Sequence, residues 1–360
     1  MFKKSIIFFY PSFEKGGATK ILIRVINFLL NKKIRIVLFS CNAEYKNFSK
    51  SNKFKIIGLK KKNKSRLYLN FFTSFYLLKF LINNKKKISI FSFQSHLPAI
   101  LIAKLFKKNI IIRNSEEIFG ATKYADNKFH ALVVLFLKVI FYNFADKIVT
   151  ISTKSKNSIK KIMINKSKVK MIYNPYLLNN KKLKSKVDNK SFFNILCIGR
   201  LTKQKNFTLV INAINGLTIK YPNIKLILIG SGPLKKDLIK MANKNTKFLE
   251  WSQNIRKYFL KSDLFILPSF YEGLPNSLID AAYYNVPSIS TDCSGAKDIL
   301  LGNKGGYIVP INNLNVLKKK ISLVINNYQD AIKKASYSKK NLSNFTIMNC
   351  NNYLDLINGD

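Results

Sequence analysis

The sequence is poor in acidic residues, and this deficit sets its charge. Asp and Glu number 17 against 63 Lys and Arg, which gives a formal net charge of +46. Such a charge predicts an anionic partner, either nucleic acid, an anionic membrane surface or a phosphorylated substrate. No RNA- or DNA-binding motif accompanies the charge. Because lysine, asparagine and isoleucine are abundant throughout, we attribute part of the charge to codon bias and give a specific nucleic-acid partner little weight.

Cysteine pairs and long apolar runs are also missing. The four cysteines are far apart in the sequence, so they predict free thiols and exclude a disulfide frame or a zinc site. No run reaches the roughly 18 uninterrupted apolar residues of a membrane-spanning helix. The apolar amino terminus meets Pro11 and Glu14 after a few residues. It therefore predicts a first buried strand and not a signal peptide.

The 360 residues, 47% of them hydrophobic, are enough for two domains with a core each. Strand and helix patterns alternate up to about residue 175 and again from residue 192, which predicts an α/β fold with parallel, helix-covered sheets. The predicted strands lie at residues 6–10, 34–40, 55–59, 88–93, 109–112, 147–151, 169–172, 192–198, 225–229, 247–250 and 263–268.

The stretch at residues 269–281 combines a strand end, a glycine loop and a helix start. Gly273 and Pro275 break the chain, and Asn276 or Ser277 is predicted to cap the following helix. The amides and positive dipole end of such a helix favour a phosphate. Glu272 lies in the loop and Asp280 is one turn inside the helix. Two acids beside a phosphate site suit a ligand with hydroxyl groups and phosphates, although a surface loop with solvated acids is an equal alternative.

Three further glycine loops follow predicted strands. Arg200 and Lys205 follow Gly199, and an arginine fork with a lysine can bind one diphosphate. In so basic a chain, two solvated cations are the simpler alternative. Gly16 and Gly17 lie at a strand-to-helix turn, where they allow a close ligand approach or make a plain tight turn.

The third loop, Gly230-Ser231-Gly232, invites a dinucleotide-binding hypothesis. Lys235 occupies the position of the third glycine of that fingerprint, so the signal is weak. A dinucleotide-dependent oxidoreductase or epimerase is therefore the least favoured class.

Two motifs together resemble the retaining GT-B glycosyltransferases, the family-4-like sugar transferases of bacterial surface polysaccharide and lipopolysaccharide. One is Glu272 followed by Gly273-Leu274-Pro275-Asn276, with Asp280 after seven intervening residues. The other is Gly199-Arg200, four residues, then Lys205-Asn206-Phe207. The family usually has Glu where this chain has Asp280, so the carboxylate is one methylene shorter here.

The resemblance implies two Rossmann-like domains whose parallel sheets face each other across a cleft. Residues 1–176 would bind the acceptor, residues 177–190 would be a linker, and residues 191–340 would bind the nucleotide sugar. The helix at about residues 341–360 would pack back onto the first domain.

The resemblance also implies roles for individual residues. Glu272, Arg200 and Lys205 would be the catalytic residues. Asp280 would hold the ribose hydroxyls. The donor-binding residues would be Gly16, Gly17, Gly199, Gly273, Leu274, Pro275, Asn276, Ser277 and Asp280. The family often has a sugar-contacting histidine near residues 113–116, where this chain has none. The acceptor or sugar-side candidates are therefore His96, Asn114, Ser115 and Glu116.

The activity that the resemblance implies is retaining transfer of a hexose or N-acetylhexosamine from a nucleotide diphosphate sugar, with a UDP-sugar favoured. The acceptor would be lipid-linked or a surface glycan. No Asp-x-Asp motif occurs in the sequence, so we expect neither a metal ion nor another cofactor.

A membrane surface is the second expected partner. Basic runs at residues 60–66 and 85–87 flank the aromatic, apolar segment 69–82, a pattern that suits an anionic bilayer interface or, alternatively, a buried helix with solvated ends. We expect a cytoplasmic protein held peripherally on the inner membrane. The alternative from a different class is a basic nucleic-acid-binding protein.

Overall fold

The computed structural model describes residues 5–14, 16–61, 64–84, 86, 88–178, 192–252 and 254–358. The chain divides into two compact units. The first unit is Met1–Thr122, Asn127–Leu178 and Phe345–Asp360, and the second unit is Lys123–Asp126 and Asn179–Asn344. Residues 179–190 of the predicted linker lie outside the described residues.

The first unit is a seven-stranded parallel sheet with helices on both faces. Its strands are β1 (Ser5–Ser12), β2 (Arg35–Cys41), β3 (Phe54–Ile57), β4 (Ser89–Ser92), β5 (Ile110–Asn114), β6 (Lys147–Thr150) and β7 (Val169–Met171). Its helices are α1 (Gly17–Asn31), α2 (Arg66–Ile82), α3 (His96–Leu105), α4 (Ile118–Lys123), α5 (Lys128–Phe141), α6 (Thr153–Ile162) and, at the end of the chain, α14 (Cys350–Asn358). The strand order is β3-β2-β1-β4-β5-β6-β7.

Side-chain alternation along β1 builds a core on each face of this sheet. Ile6 and Phe8 point to the side covered by α1 and α14. Ile7 and Phe9 point to the opposite side, where α2 and α3 supply buried side chains. Because every residue from Ile6 to Ser12 is buried, the strand reads as a continuous apolar run.

The second unit repeats the plan with six parallel strands. They are β8 (Phe193–Ile198), β9 (Ile224–Ile229), β10 (Thr246–Leu249), β11 (Leu264–Leu267), β12 (Ser288–Thr291) and β13 (Tyr307–Val309). The helices are α7 (Phe207–Leu217), α8 (Lys235–Met241), α9 (Arg256–Leu260), α10 (Asn276–Tyr283), α11 (Ala296–Leu300), α12 (Leu314–Asn326) and α13 (Tyr328–Lys340). The strand order is β10-β9-β8-β11-β12-β13.

Short 3-10 turns complete both units. They are Tyr45–Asn47, Tyr142–Phe144, Lys166–Lys168, Lys203–Lys205, Asn341–Phe345 and Ile347–Asn349.

A buried arginine fastens the last helix to the first unit. Arg113, at the end of β5, is 1% exposed. Its Nε donates to the Tyr353 hydroxyl at 3.2 Å, and a terminal nitrogen donates to the Asn174 side chain at 2.5 Å. The guanidinium also lies over the Phe93 ring. These contacts join β5 and the chain after β7 to α14.

The α/β prediction with parallel sheets is confirmed. Every strand predicted from the sequence is present, with ends that differ by one or two residues. The two strands β12 and β13 were not predicted: β12 contains a single apolar residue among four, and β13 directly follows Gly305 and Gly306. The predicted cleft between the domains stays a prediction.

Among the described helices, none combines the length and the apolar content that crossing a bilayer requires.

Candidate functional site

Two loops of the second unit start from neighbouring strands at the point where the strand order reverses. Strands β8 and β11 pair in parallel, with Ile195 opposite Leu264. The helices that follow two such strands pass to opposite faces of the sheet, which leaves a crevice at their carboxyl ends. The β8 loop (residues 199–206) and the β11 loop (residues 268–275) both begin there.

An ion pair joins the two loops. Lys205 Nζ donates to Glu272 Oε1 at 2.5 Å, and the side chains are 18% and 10% exposed. The Ser269 hydroxyl donates to the same oxygen at 2.7 Å. No described residue donates to the second carboxylate oxygen of Glu272. An ammonium group carries three protons, so Lys205 also keeps donors for another anion.

Further hydrogen bonds to backbone atoms hold the two loops together. The Phe270 amide donates to the Gln204 carbonyl at 2.9 Å, and the Gln204 side chain returns a bond to the Tyr271 carbonyl at 3.0 Å. Thr291, at the end of β12, donates its hydroxyl to the Ser269 carbonyl at 2.5 Å. Glu272 and Lys205 are therefore held by a hydrogen-bonded frame and do not depend on their own contact alone.

Two glycines are closely packed around this frame. A Cβ on Gly199 would lie 3.3 Å from both Lys205 Cε and the Phe207 ring, so the lysine stem packs directly on the glycine. Gly295 has φ +79° and supports the β11 loop from below. A Cβ there would lie 3.0 Å from the Gly273 carbonyl oxygen and 2.9 Å from Leu274 Cδ1.

Helix α10 begins at Asn276, and Pro275 is its N-cap residue. The prediction of a side-chain cap from Asn276 or Ser277 is wrong, because both residues already lie inside the first turn. The Leu278 amide bonds to the Pro275 carbonyl at 3.0 Å. Within the described part of the chain, the Ser277 amide has no hydrogen-bond acceptor. The start of α10, which no side chain caps, therefore places the positive end of the helix dipole and an unbonded backbone N–H group at the edge of the sheet.

The remaining predicted donor-side residues lie around this helix start. Gly273, Leu274 and Pro275 are buried, and Asp280 is half-buried in the second turn of α10. Arg200 is exposed, and no residue in the described ranges pairs with its guanidinium. Burial, and then the Asp280 charge, raise the pKa of the Tyr284 hydroxyl, which places the Asp280 carboxylate near that ring.

The first unit holds the other predicted residues. Gly16 is the N-cap residue of α1 and Gly17 is its first residue, and both are exposed. A Cβ on Gly16 would meet no atom within 4 Å, and its φ of 174° is ordinary extended backbone. The protein itself therefore does not require glycine at position 16. Lys15, in the same loop, lies outside the described residues.

The predicted acceptor-side residues follow β4 and β5. His96 starts α3, and its Nδ1 lies 2.9 Å from the Ser92 hydroxyl. Asn114 is buried, and its side-chain amide donates to the Glu116 carbonyl and to Ser155. Glu116 forms an ion pair with Lys138, whereas Ser115 is exposed. Three of the four side chains thus have partners inside the unit, and their contact with an acceptor stays a prediction.

Burial shifts the pKa of one group in each unit, His96 in the first and Cys293 beside Glu272 in the second. It lowers the pKa of His96 to about 3, helped by the charges of Lys138 and Arg113. It raises the pKa of the Cys293 thiol to about 12, helped by the Glu272 charge. His96 is therefore neutral and Cys293 is an unreactive thiol at neutral pH.

Sequence reasoning missed the residues that hold Glu272 and its loop, namely Ser269, Gln204, Thr291 and Gly295. Ser269 and Thr291 each follow or end a short buried strand, which was the available signal. Gln204 acts through a side-chain hydrogen bond to a distant backbone carbonyl and Gly295 through close packing, and neither role was assigned from the sequence.

No group of three or more His, Cys, Asp or Glu side chains in the described ranges is arranged to hold a metal ion. Metal independence stays a prediction.

Comparison with known proteins finds similarity to glycosyltransferases. Residues 179–341 match the family model for glycosyl transferases group 1. An uncharacterized glycosyltransferase of Methanocaldococcus jannaschii is 34% identical over 226 residues, which are 57% of this chain and 55% of that protein. The match thus spans about half the length of that relative.

Two further similarities cover nearly the whole chain. A Campylobacter jejuni protein is 26% identical over 355 residues, 95% of this chain and 94% of the relative. It is named as a GalNAc-alpha-(1->4)-GalNAc-alpha-(1->3)-diNAcBac-PP-undecaprenol alpha-1,4-N-acetyl-D-galactosaminyltransferase. The crystal structure of Anabaena HepE with UDP and glucose matches with a TM-score of 0.77 and 16% identity, covering 99% of this chain and 100% of that one.

Proposed function

We propose that this chain, which is a GT-B glycosyltransferase, moves a hexose or N-acetylhexosamine from a nucleotide diphosphate sugar to a lipid-linked or surface-glycan acceptor. The donor is a UDP-sugar, and the product belongs to a bacterial surface polysaccharide. The donor is bound by the second unit, and we assign the acceptor to the first.

The observation that carries the proposal is the Lys205–Glu272 pair beside the uncapped start of α10. The Lys205 ammonium and the Glu272 carboxylate are held by the same set of hydrogen bonds, close to the backbone amides at the start of α10. A ligand that satisfies all three groups needs both anionic oxygens and hydroxyl groups. A sugar diphosphate has both, whereas inorganic phosphate has no sugar hydroxyl group and a DNA backbone has none free to donate to Glu272.

The reaction follows from where charge develops. The bond between the anomeric carbon and the diphosphate oxygen breaks, and its electron pair stays on the diphosphate. Lys205, Arg200 and the α10 amides stabilise that charge. The acceptor hydroxyl forms the new bond to the anomeric carbon and releases its proton to the departing diphosphate. We propose that attack occurs on the face that the diphosphate leaves, which retains the configuration, and that no metal ion takes part.

Glu272 and Asp280 have different tasks in this proposal. The free oxygen of Glu272 accepts hydroxyl groups of the donor sugar, because Lys205 and Ser269 occupy only the other oxygen. Asp280 accepts the ribose hydroxyls from the second turn of α10. The shorter side chain of Asp280, compared with Glu, is compatible with this task if the ribose approaches the helix closely.

The choice of donor and acceptor is supported by the relatives. HepE binds UDP and glucose, and the Campylobacter jejuni relative is named for a PP-undecaprenol substrate. An undecaprenol-linked acceptor is fixed in a membrane. We therefore propose that this chain works at the cytoplasmic face of the inner membrane as a peripheral protein.

Thermal shift against a ligand panel tests the proposal. The panel contains UDP-, GDP- and ADP-sugars, NAD and a short RNA. A UDP-sugar at a concentration about 100 times its Kd is expected to stabilise the fold by about 2.7 kcal/mol, with no shift by NAD. Stabilisation by NAD alone would support an oxidoreductase or epimerase. Salt-sensitive binding of RNA without a response to any sugar nucleotide would support the nucleic-acid class.

A further inference from the structure

Helix α5 of the first unit has its apolar side in solvent. None of its residues is buried. Phe129, Leu132 and Phe136 are 79%, 56% and 63% exposed, and Ile140 is 40% exposed. These positions recur every three or four residues, so they form one stripe along the helix. A surface helix of a globular protein normally has polar residues on that side.

The neighbouring helices extend the stripe. On α2 the exposed residues Leu67, Phe71 and Phe75 recur every four residues. On α3, Leu101 and Leu105 are exposed at the same interval. Helix α3 contacts both α2 and α5, and all three helices contribute to the core on one face of the sheet. Their outward residues therefore lie on the same side of the first unit. We call this side the α2–α3–α5 face.

The charged side chains on the three helices of this face have one sign, although Arg66, Lys104 and Lys138 pair with acids of neighbouring segments. Helices α2, α3 and α5 contain no Asp or Glu. Lys79 and Lys128 are exposed on them, and no residue in the described ranges pairs with either. Lys60, Lys61 and Lys64, just before α2, are exposed as well. The three helices thus expose aromatic, aliphatic and cationic side chains, and they contain no carboxylate.

We propose that the α2–α3–α5 face docks onto an anionic lipid bilayer, with α5 as its main apolar contact. Phenylalanine and leucine side chains enter the boundary between headgroups and acyl chains, and the lysines meet lipid phosphates. A second copy of the chain fits less well, because a symmetric contact would bring together two sets of helices that contain cations and no Asp or Glu. This inference deepens the proposed function, since a lipid-linked acceptor lies in such a bilayer.

Co-sedimentation with lipid vesicles tests the inference without any sugar transfer. Vesicles of phosphatidylglycerol and phosphatidylethanolamine are compared with vesicles of phosphatidylcholine. The wild-type chain is expected to bind the anionic vesicles, more weakly at high salt, and to bind phosphatidylcholine poorly. The triple variant Phe129→Ser, Leu132→Ser, Phe136→Ser is expected to bind the anionic vesicles at least about tenfold more weakly, because three apolar side chains no longer insert.

A matched control carries the same kind of change on the second unit. Ile219, Ile239 and Leu323 are exposed there, and their triple replacement by Ser should leave vesicle binding unchanged. Both variants should keep wild-type circular dichroism and UDP affinity, which shows that each is folded. Equal binding of wild type and the α5 variant would overturn the inference. So would a wild-type dimer in light scattering that only the α5 variant dissociates.

Failure of the proposed function has a different signature. A chain that binds anionic vesicles through α5 but no sugar nucleotide would retain the docking face and lose the transferase assignment. A chain that binds UDP-sugars but no vesicles would keep the transferase assignment and lose the docking face.

Discussion

At the scale of single residues, the two carboxylate oxygens of Glu272 have different roles in our account. One oxygen accepts from Lys205 and Ser269, which fixes the carboxylate at the end of the β11 loop. The other is available to sugar hydroxyls. A carboxylate that only balanced a lysine charge would not need a position held by Gln204, Ser269 and Thr291 together.

The change Glu272→Gln keeps the size of the side chain and removes its charge. Sugar transfer is expected to fall at least about 100-fold, because the sugar is no longer held in its reactive position. The preference for a UDP-sugar over UDP should fall about tenfold, the worth of one hydrogen bond to a charged group. UDP itself should bind as well as before, since Lys205 keeps its charge.

Calorimetric titration with UDP and a UDP-sugar measures both affinities, and a coupled assay of UDP release measures transfer. Glu44→Gln is the control, because Glu44 forms an exposed ion pair with Lys46 in the first unit. An unchanged UDP-sugar preference in Glu272→Gln would remove the sugar-binding role of Glu272.

His96 makes a separate prediction about pH. Its pKa is about 3 in the folded chain against an ordinary value near 6.5, so the unfolded chain binds a proton that the folded chain does not bind in this interval. Stability contributed by neutral His96 is present above pH 6.5 and is lost as the pH falls towards 3. From pH 7 to pH 5 the loss is up to about 2 kcal/mol.

Urea unfolding at pH 7 and pH 5 measures this loss. The variant His96→Asn keeps a polar partner for Ser92 but cannot take up the proton. Its loss of stability over the same pH range should be smaller than the wild-type loss by that amount. Identical pH dependence in the two proteins would mean that the folded chain takes up a proton at His96 over this pH range and that burial does not lower its pKa.

Residue roles were less predictable from sequence than residue positions. Lys205 and Glu272 were predicted as one site from two separated motifs, and the structure brings their side chains into contact. The cap of α10 was predicted from side-chain chemistry and is wrong, because Pro275 ends the loop one residue earlier. The support from Gln204 and Gly295 depends on the approach of backbone segments distant in sequence.

At the scale of elements, the β11 loop and α10 act as one support. Gly295, at the start of α11, lies under this loop with φ +79°. The loop position therefore depends on the absence of a side chain at a residue that contacts no ligand in our account.

The variant Gly295→Ala is expected to destabilise the chain by about 2 to 4 kcal/mol, from backbone strain together with the collision against Gly273 and Leu274. UDP affinity should fall at least about tenfold, because the loop that precedes α10 must move. The control Gly302→Ala has a similar φ of +66° but open space around the added carbon. Gly302→Ala should lower the free energy of unfolding by only about 1 kcal/mol and leave UDP affinity unchanged.

Thermal unfolding and UDP titration of the two variants separate the effects. Equal loss of UDP affinity in both would mean that general destabilisation, and not displacement of the β11 loop, is responsible.

Elements were predictable where the pattern was long and strongly apolar. Strands β1 and β8 were found from sequence, with ends within two residues of the predicted ones. Strands β12 and β13 were missed, because one has a single apolar residue and the other follows two glycines, and both are stabilised by parallel pairing with neighbouring strands.

At the scale of the whole molecule, the charge of +46 has more than one use. In our account a few cations bind the diphosphate, and another group on the α2–α3–α5 face meets lipid phosphates. Codon bias could account for part of the lysine content. It does not explain the exposed phenylalanines that recur at helical spacing along α5. The fold class followed from the alternation of strands and helices, whereas this face required knowledge of which side of each helix is buried.

The central claim is that Lys205, in the second unit, binds the diphosphate of a sugar nucleotide. The most direct test is calorimetric titration of UDP into the wild type, Lys205→Met and Lys203→Met. Lys203 is the neighbouring cation of the same turn, and its exposed side chain pairs with Asp126. We predict about 10- to 100-fold weaker UDP binding in Lys205→Met, the loss of one charge-assisted hydrogen bond, and unchanged binding in Lys203→Met. Equal affinity in all three proteins would contradict the account.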